Sequence, residues 1–177
     1  MKRAFLLSGR PGTGKTTIIK QAMCRSGRSA GGFYTTEIRS GGVRKGFNIT
    51  TLDGDAAVLA HVEFNTPNRI GKYGVDIDAL DRVGVAAVKR AIAGSELVVI
   101  DEIGKMELLS SEFRKVVLQA MDSGKPILGS LLHSPNAFVD GYIRHRPEVT
   151  VRTITEANRD AILGEVLRWL DTSRNAY

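Results

Sequence analysis

The segment Gly9-Arg10-Pro11-Gly12-Thr13-Gly14-Lys15-Thr16-Thr17 constrains this chain more than any other stretch. Its glycines and proline cannot continue a strand or a helix. Before it stands the wholly apolar run Ala4-Phe5-Leu6-Leu7, which reads as a buried strand. After it Ile18, Ile19, Ala22 and Met23 recur on one helical face, and Gly27 ends the pattern. Strand, glycine turn and helix in that order make Gly-x-x-x-x-Gly-Lys-Thr a phosphate cradle, the Walker A pattern. The glycines let successive N–H groups turn inward, and the helix amino terminus adds its positive end. Lys15 then reaches the β- and γ-phosphates, and the Thr16 hydroxyl is the expected Mg²⁺ ligand.

The rest of the chain alternates strands with helices. A second strand is predicted from 33 to 38, followed by the turn Ser40-Gly41-Gly42 and an extended segment from Val43 to 51. Asp53-Gly54 signals a hairpin, so 33–60 reads as an antiparallel β-meander extending the sheet. Residues 61–75 hold Pro67, Gly71 and Gly74 and read as a mobile loop. A helix over 76–93 buries Ile77, Leu80, Gly84, Val88, Ala91 and Ile92. Leu97-Val98-Val99-Ile100 is a strand buried on both faces, 126–132 another, and 149–154 the last. Ser110 and Thr155 are the expected caps of the helices that follow them. The expectation is an α/β three-layer sandwich on a mostly parallel sheet, as one domain over 1–177. Ligands of such sheets bind outside the carboxyl ends of the strands.

At one such end stand Asp101 and Glu102. A carboxylate on a buried strand neighbouring the cradle holds Mg²⁺ through its water shell, the role expected of Asp101. Glu102 points the opposite way along the strand and polarises a water for attack. Two readings of Lys105 stand: a charge beside the transferring phosphoryl group, or a local pair with Glu107. Ser130 either contacts the γ-phosphate or the water, or simply packs. Arg10, Arg144, Arg146 and Arg159 are the candidate transition-state arginines. Arg159, after Asn158 at the last strand–helix corner, is placed near the nucleobase. No Asn-Lys-x-Asp segment follows the 126–132 strand, where His133-Ser134-Pro135 stands instead, so strict guanine selection is not expected.

Composition narrows the alternatives. Lys and Arg number 25 against 19 acids, a net charge of +6 suited to an anionic ligand. The basic residues are dispersed, so nucleic acid is not expected as the main partner. Cys24 is the sole cysteine, which excludes an internal disulfide and a cysteine-based zinc site. His61, His133 and His145 lack ligand spacing and read as surface or packed histidines. The apolar start stops at Ser8-Gly9, too short for a secretory leader, and nothing approaches a membrane span. A cytoplasmic protein is expected, with a monomer favoured.

Several stretches together resemble the cancer-related nucleoside-triphosphatase family, small P-loop NTPases of thermophiles and eukaryotes. They are the cradle, Gly32-Phe33-Tyr34-Thr35-Thr36-Glu37-Ile38-Arg39, Gly46-Phe47, Gly71-Lys72-Tyr73-Gly74-Val75, Val99-Ile100-Asp101-Glu102-Ile103-Gly104-Lys105-Met106-Glu107-Leu108, and Asn158-Arg159-Asp160. The resemblance implies a RecA-like core and slow hydrolysis of several nucleoside triphosphates (ATP, GTP, CTP, UTP and TTP) with loose base preference. It places nucleotide contacts on the cradle and on Leu97 through Gly104, with Ile103 among them. One departure is Ala157, where the family has a glutamate before Asn-Arg. Two rivals share the cradle. A nucleotide or small-molecule kinase needs an arginine-bearing lid, for which 61–75 offers only Arg69 and Lys72. A nucleotide-driven switch acting on nucleic acid or protein would use the meander as its partner surface.

Overall fold

The structure, a computed structural model, describes residues 2–174. Among these a nine-stranded sheet runs in the order β5-β6-β4-β3-β2-β7-β8-β1-β9. The strands are β1 Ala4–Ser8, β2 Ala30–Ser40, β3 Val43–Thr51, β4 Ala56–His61, β5 Arg69–Ile70, β6 Tyr73–Val75, β7 Leu97–Ile103, β8 Ile127–Leu131 and β9 Val149–Thr153. The strands β2-β7-β8-β1-β9 pair in parallel and form the core. From β2 outward every pairing is antiparallel. β2 serves both halves: Ala30 to Tyr34 pair with β7, and the strand then continues as an arm of the β2–β3 hairpin.

Helices cover both faces, as a parallel sheet requires. α1 Lys15–Ser26 and α6 Arg159–Arg174 lie on one face. There Ile18, Ile19, Ala22, Ile162, Val166 and Leu170 meet Phe5, Leu7, Leu97 and Val99. The opposite face carries α2 Ile77–Ala79, a π-helical stretch Leu80–Val85, α3 Ala86–Gly94 and α4 Ser111–Asp122. Leu80, Val88, Phe113 and Val117 there meet Leu6, Val98 and Ile100. The alternation Leu6/Leu7 and Val98/Val99 is the period of two in a strand, each neighbour feeding the other core. Each fully buried Leu or Ile contributes about 1.5–3 kcal/mol. α5 Ala137–Tyr142 follows β8, capped by Asn136, whose side chain accepts from the Phe138 and Val139 N–H groups.

The structure differs from the sequence-based expectations in three places. Residues 61–75 are not wholly loop, because β5 and β6 continue the sheet at its edge, with β6 paired to β4. The helix over 77–94 is π-helical in its middle, at Gly84, where an added Cβ would come within 2.5 Å of Ile49 Cδ1. The close approach of helix to sheet needs a residue without a side chain there. Finally, the strand bearing the acids does not neighbour the cradle strand: β8 lies between β7 and β1.

Candidate active site

Three strand ends therefore line up: β1 leading into the cradle, β8, and β7 carrying the acids. Gly9, Gly12 and Gly14 have φ of 156°, 81° and 96°. Gly12 and Gly14 occupy the left-handed region, which favours glycine. At Gly9 the constraint is space, since a Cβ would come within 2.7 Å of Ile154 O. Gly14 stands at the N-cap of α1 with no side-chain cap, so the first-turn amides remain free for an anion. Lys15 Nζ donates to Gly9 O at 2.9 Å and Arg10 O at 3.3 Å. Its ammonium is thereby held across the mouth of the loop.

Asp101 is 2% exposed. The Thr16 hydroxyl donates to its Oδ2 at 2.5 Å, and the Ser130 hydroxyl donates to its Oδ1. Burial raises the Asp101 pKa, against the hydroxyls of Ser130 and Thr16 and the charges of Lys15 and Lys20. Glu102 is also raised, first by burial and also by the Asp101 charge, with Lys15 opposing. Both acids line one cleft, contrary to the expectation that they face opposite ways. The register explains this. Ile100 pairs with Gly129, but Ile103 pairs with Leu131, so one extra residue of β7 is accommodated and the pleat is interrupted at the acids.

A third acid joins them. Glu107, in the 3-10 turn Glu107–Leu109, is 5% exposed, and its pKa is raised to about 8. Burial is the main cause, followed by the Glu102 charge, while the backbone N–H groups of Glu107 and Gly104 oppose. Glu102 and Glu107 close around Gly104: a Cβ there would lie 2.7 Å from Glu107 Oε2 and 3.0 Å from Glu102 Oε1. Sequence reasoning took Glu107 only as a partner for Lys105. Its signal was an acid between Met106 and Leu108 in an otherwise apolar turn. Lys105 is exposed and lines the cleft, and among the described residues it makes no ion pair with Glu107.

The cleft holds about 710 Å³ and is walled by the cradle residues Gly9, Arg10, Pro11, Gly12, Gly14, Lys15, Thr16 and Thr17 on one side. Thr35, Thr36, Glu37, Arg44, Phe47 and Ile70 of the antiparallel strands form another wall, and Leu132, His133 and Ser134 a third. These two walls were missed, because side-by-side strand order is not written in local periodicity. Thr13 braces the loop by donating from Oγ1 to Arg10 O at 2.9 Å.

Leu97, Val98, Val99, Ile100 and Ile103 are 0% exposed, so they carry the acids and meet no ligand. Asn158 is a capping residue: its Oδ1 accepts from Thr155 N at 2.9 Å and its Nδ2 donates to Thr153 O at 3.0 Å. Arg159 Nε donates to Thr13 O at 2.7 Å, which fixes the cradle from outside the cleft wall. Arg144 pairs with Asp140 and donates to Leu132 O, and Arg146 pairs with Asp122 and Glu148; neither lines the cleft. Of the candidate arginines, Arg10 alone lines the cleft among the described residues.

A nucleotide-sized cleft, an open helix terminus and a buried acid bonded to the cradle threonine coincide with a family match. The model of the NTPase family covers residues 4–167, from β1 into α6. The chain belongs to the NTPase family. This NTPase is 46% identical over 170 residues to the nucleoside-triphosphatase THEP1 of Thermotoga petrophila, a match covering 96% of this chain and 94% of the relative. Against the namesake of Methanocaldococcus jannaschii identity is 40% over 168 residues, 92% of this chain and 94% of the relative. The crystal structure of THEP1 from Aquifex aeolicus superposes with a TM-score of 0.86 at 33% identity, covering 94% of this NTPase and 98% of that chain. The solution structure of a human cancer-related nucleoside triphosphatase gives 0.82 at 36% identity, covering 98% and 99%. The α/β fold is thus shared with both solved structures.

Proposed function

We propose that this NTPase hydrolyses nucleoside triphosphates to the diphosphate and phosphate, with Mg²⁺ and a water activated by Glu102. The observation that carries this reading is the bonded chain Thr16–Asp101–Ser130, which brings the cradle hydroxyl against a buried acid and sets Glu102 in the same cleft. The donors there are oxygens, a carboxylate and hydroxyls, which suit Mg²⁺ as a hard cation. Burial raises the Asp101 pKa despite the charges of Lys15 and Lys20, and a divalent ion beside it would hold it ionised. Thr16 would hold the ion directly and Asp101 through its waters. Bound there, Mg²⁺ supplies neutralising charge to the phosphate oxygens.

The chain's own residues account for the rest. The cradle amides and Lys15 bind the β- and γ-phosphates and stabilise charge as it moves toward the leaving oxygen. Glu102 orients a water and takes its proton as the water oxygen bonds to the γ-phosphorus. The bond to the β-phosphate oxygen breaks, giving diphosphate and inorganic phosphate. A raised pKa makes Glu102 a stronger base than an exposed glutamate, suited to work near neutrality. Since the base acts ionised, kcat falls as pH drops, with its inflection above the ordinary glutamate range. The absence of an Asn-Lys-x-Asp segment after β8 removes the motif for strict guanine selection, and the loose base preference proposed here rests on the family likeness.

Phosphate release from ATP, GTP, CTP and UTP, with Mg²⁺ and with a chelator, tests this reading. All four nucleotides are expected to release phosphate with no added acceptor, and chelation to abolish it. Turnover that requires a second substrate would instead indicate a kinase.

A further inference from the structure

His133 stands in the cleft without a role in the scheme above. It lies two residues beyond Leu131, the last residue of β8. Leu131 is paired on one side with Ser8 of β1 and on the other with Ile103 of β7. The next peptide is pinned as well, because Leu132 N donates to Ile103 O at 3.1 Å. Ser8 leads into the cradle, and Ile103 follows the acids. His133 is therefore carried to the gap between the two halves of the site, where the terminal phosphate of a nucleotide lies if the reading above holds.

The ring is also oriented. Ser8 Oγ lies 3.3 Å from His133 Nδ1, and Ser8 is 2% exposed. With the hydroxyl donating to Nδ1, the ring proton sits on Nε2, on the opposite edge of the imidazole. A buried hydroxyl that fixes one ring nitrogen leaves the other available as a directed donor, the arrangement by which an outer partner sets a histidine's tautomer.

We propose that His133 is a γ-phosphate-binding residue, oriented by Ser8, whose Nε2–H donates to a terminal phosphate oxygen and so distinguishes triphosphate from diphosphate. This inference rests on the nucleoside-triphosphatase reading of the same cleft. It assigns a task to a histidine that composition and spacing marked only as a surface or packed residue. Exposure of the side chain means that the substitution removes little from the core.

The test compares Mg²⁺-dependent binding of ADP and of the non-hydrolysable β,γ-imido analogue of ATP to wild type and His133→Ala by calorimetry. The analogue is expected to bind the variant about ten-fold more weakly, as for loss of one hydrogen bond to a charged group. ADP affinity should stay within about two-fold, which also reports that the cradle is intact. Equal weakening for both nucleotides, or no change for either, overturns the assignment. Wild type that binds neither nucleotide overturns the triphosphatase reading itself, and this inference with it.

Discussion

Three acids gather where β7 ends, and their spacing rests on one residue, Gly104. Any side chain at that position would press on Glu107 Oε2 and Glu102 Oε1 at once. Gly104→Ala is therefore expected to displace the two carboxyl groups while leaving the cradle intact. Turnover should fall by about ten-fold or more, because small displacements of a reacting group are costly. Nucleotide affinity should change little, which steady-state kinetics beside a binding titration will check. Glu107 gives a second prediction. Its folded-state pKa, raised to about 8, lies above the ordinary value of 4.5. The stability that it gains by holding a proton is full below pH 4.5 and is lost as pH rises through about 8. Metal-free wild type should thus lose on the order of a few kcal/mol over that window. Glu107→Gln, which mimics the protonated acid, should flatten the curve and be the more stable protein at alkaline pH. Denaturant titrations at several pH values measure this, and parallel curves would refute the assignment.

At the scale of elements, the sequence disclosed what repeats locally and hid what depends on neighbours. The run Ala4-Phe5-Leu6-Leu7, the stripe Ile18, Ile19 and Ala22, and the cap at Ser110 were all legible. The Ser110 hydroxyl accepts from Phe113 N, as its position before an apolar stripe implied. β5 and β6 were not, since strands of two and three residues are too short to show a period. Nor was the position of β8 between β1 and β7, or the register change that turns Asp101 and Glu102 into one cleft. Those features are set by pairing across the sheet. The cradle and its lysine could be read directly, because backbone conformation there is dictated by glycine. Leu97 to Ile100, taken as ligand contacts through family likeness, proved to be the buried stem that carries the acids.

The π-helical stretch over Leu80–Val85 offers a further test at this scale. A methyl group at Gly84 would meet Ile49 Cδ1 at 2.5 Å and Leu80 Cδ1 at 3.2 Å. Overpacking costs about 1–3 kcal/mol, while alanine gains about 1 kcal/mol of helix propensity over glycine. The contact atoms are side-chain ends that can yield, so Gly84→Ala is expected to lose about 1 kcal/mol net. That corresponds to a drop of roughly 2–4 °C in Tm for a chain of this size. A rise in Tm would show that the helix has room which the structure denies it.

Across the whole molecule, two apolar cores on opposite faces of one sheet hold three strand ends in line, and the antiparallel strands supply the far wall of the cleft. β1 delivers the cradle, β7 the acids, and β8 the residues between them. The central claim is that this alignment makes Glu102 the base for attack by water on a bound triphosphate. It is tested most directly by measuring nucleotide affinity and phosphate release together, for wild type and Glu102→Gln, with Mg²⁺. The account predicts unchanged affinity with turnover reduced by about 10²-fold or more, the scale of a lost general base. Glu102→Gln that releases phosphate as fast as wild type would contradict it.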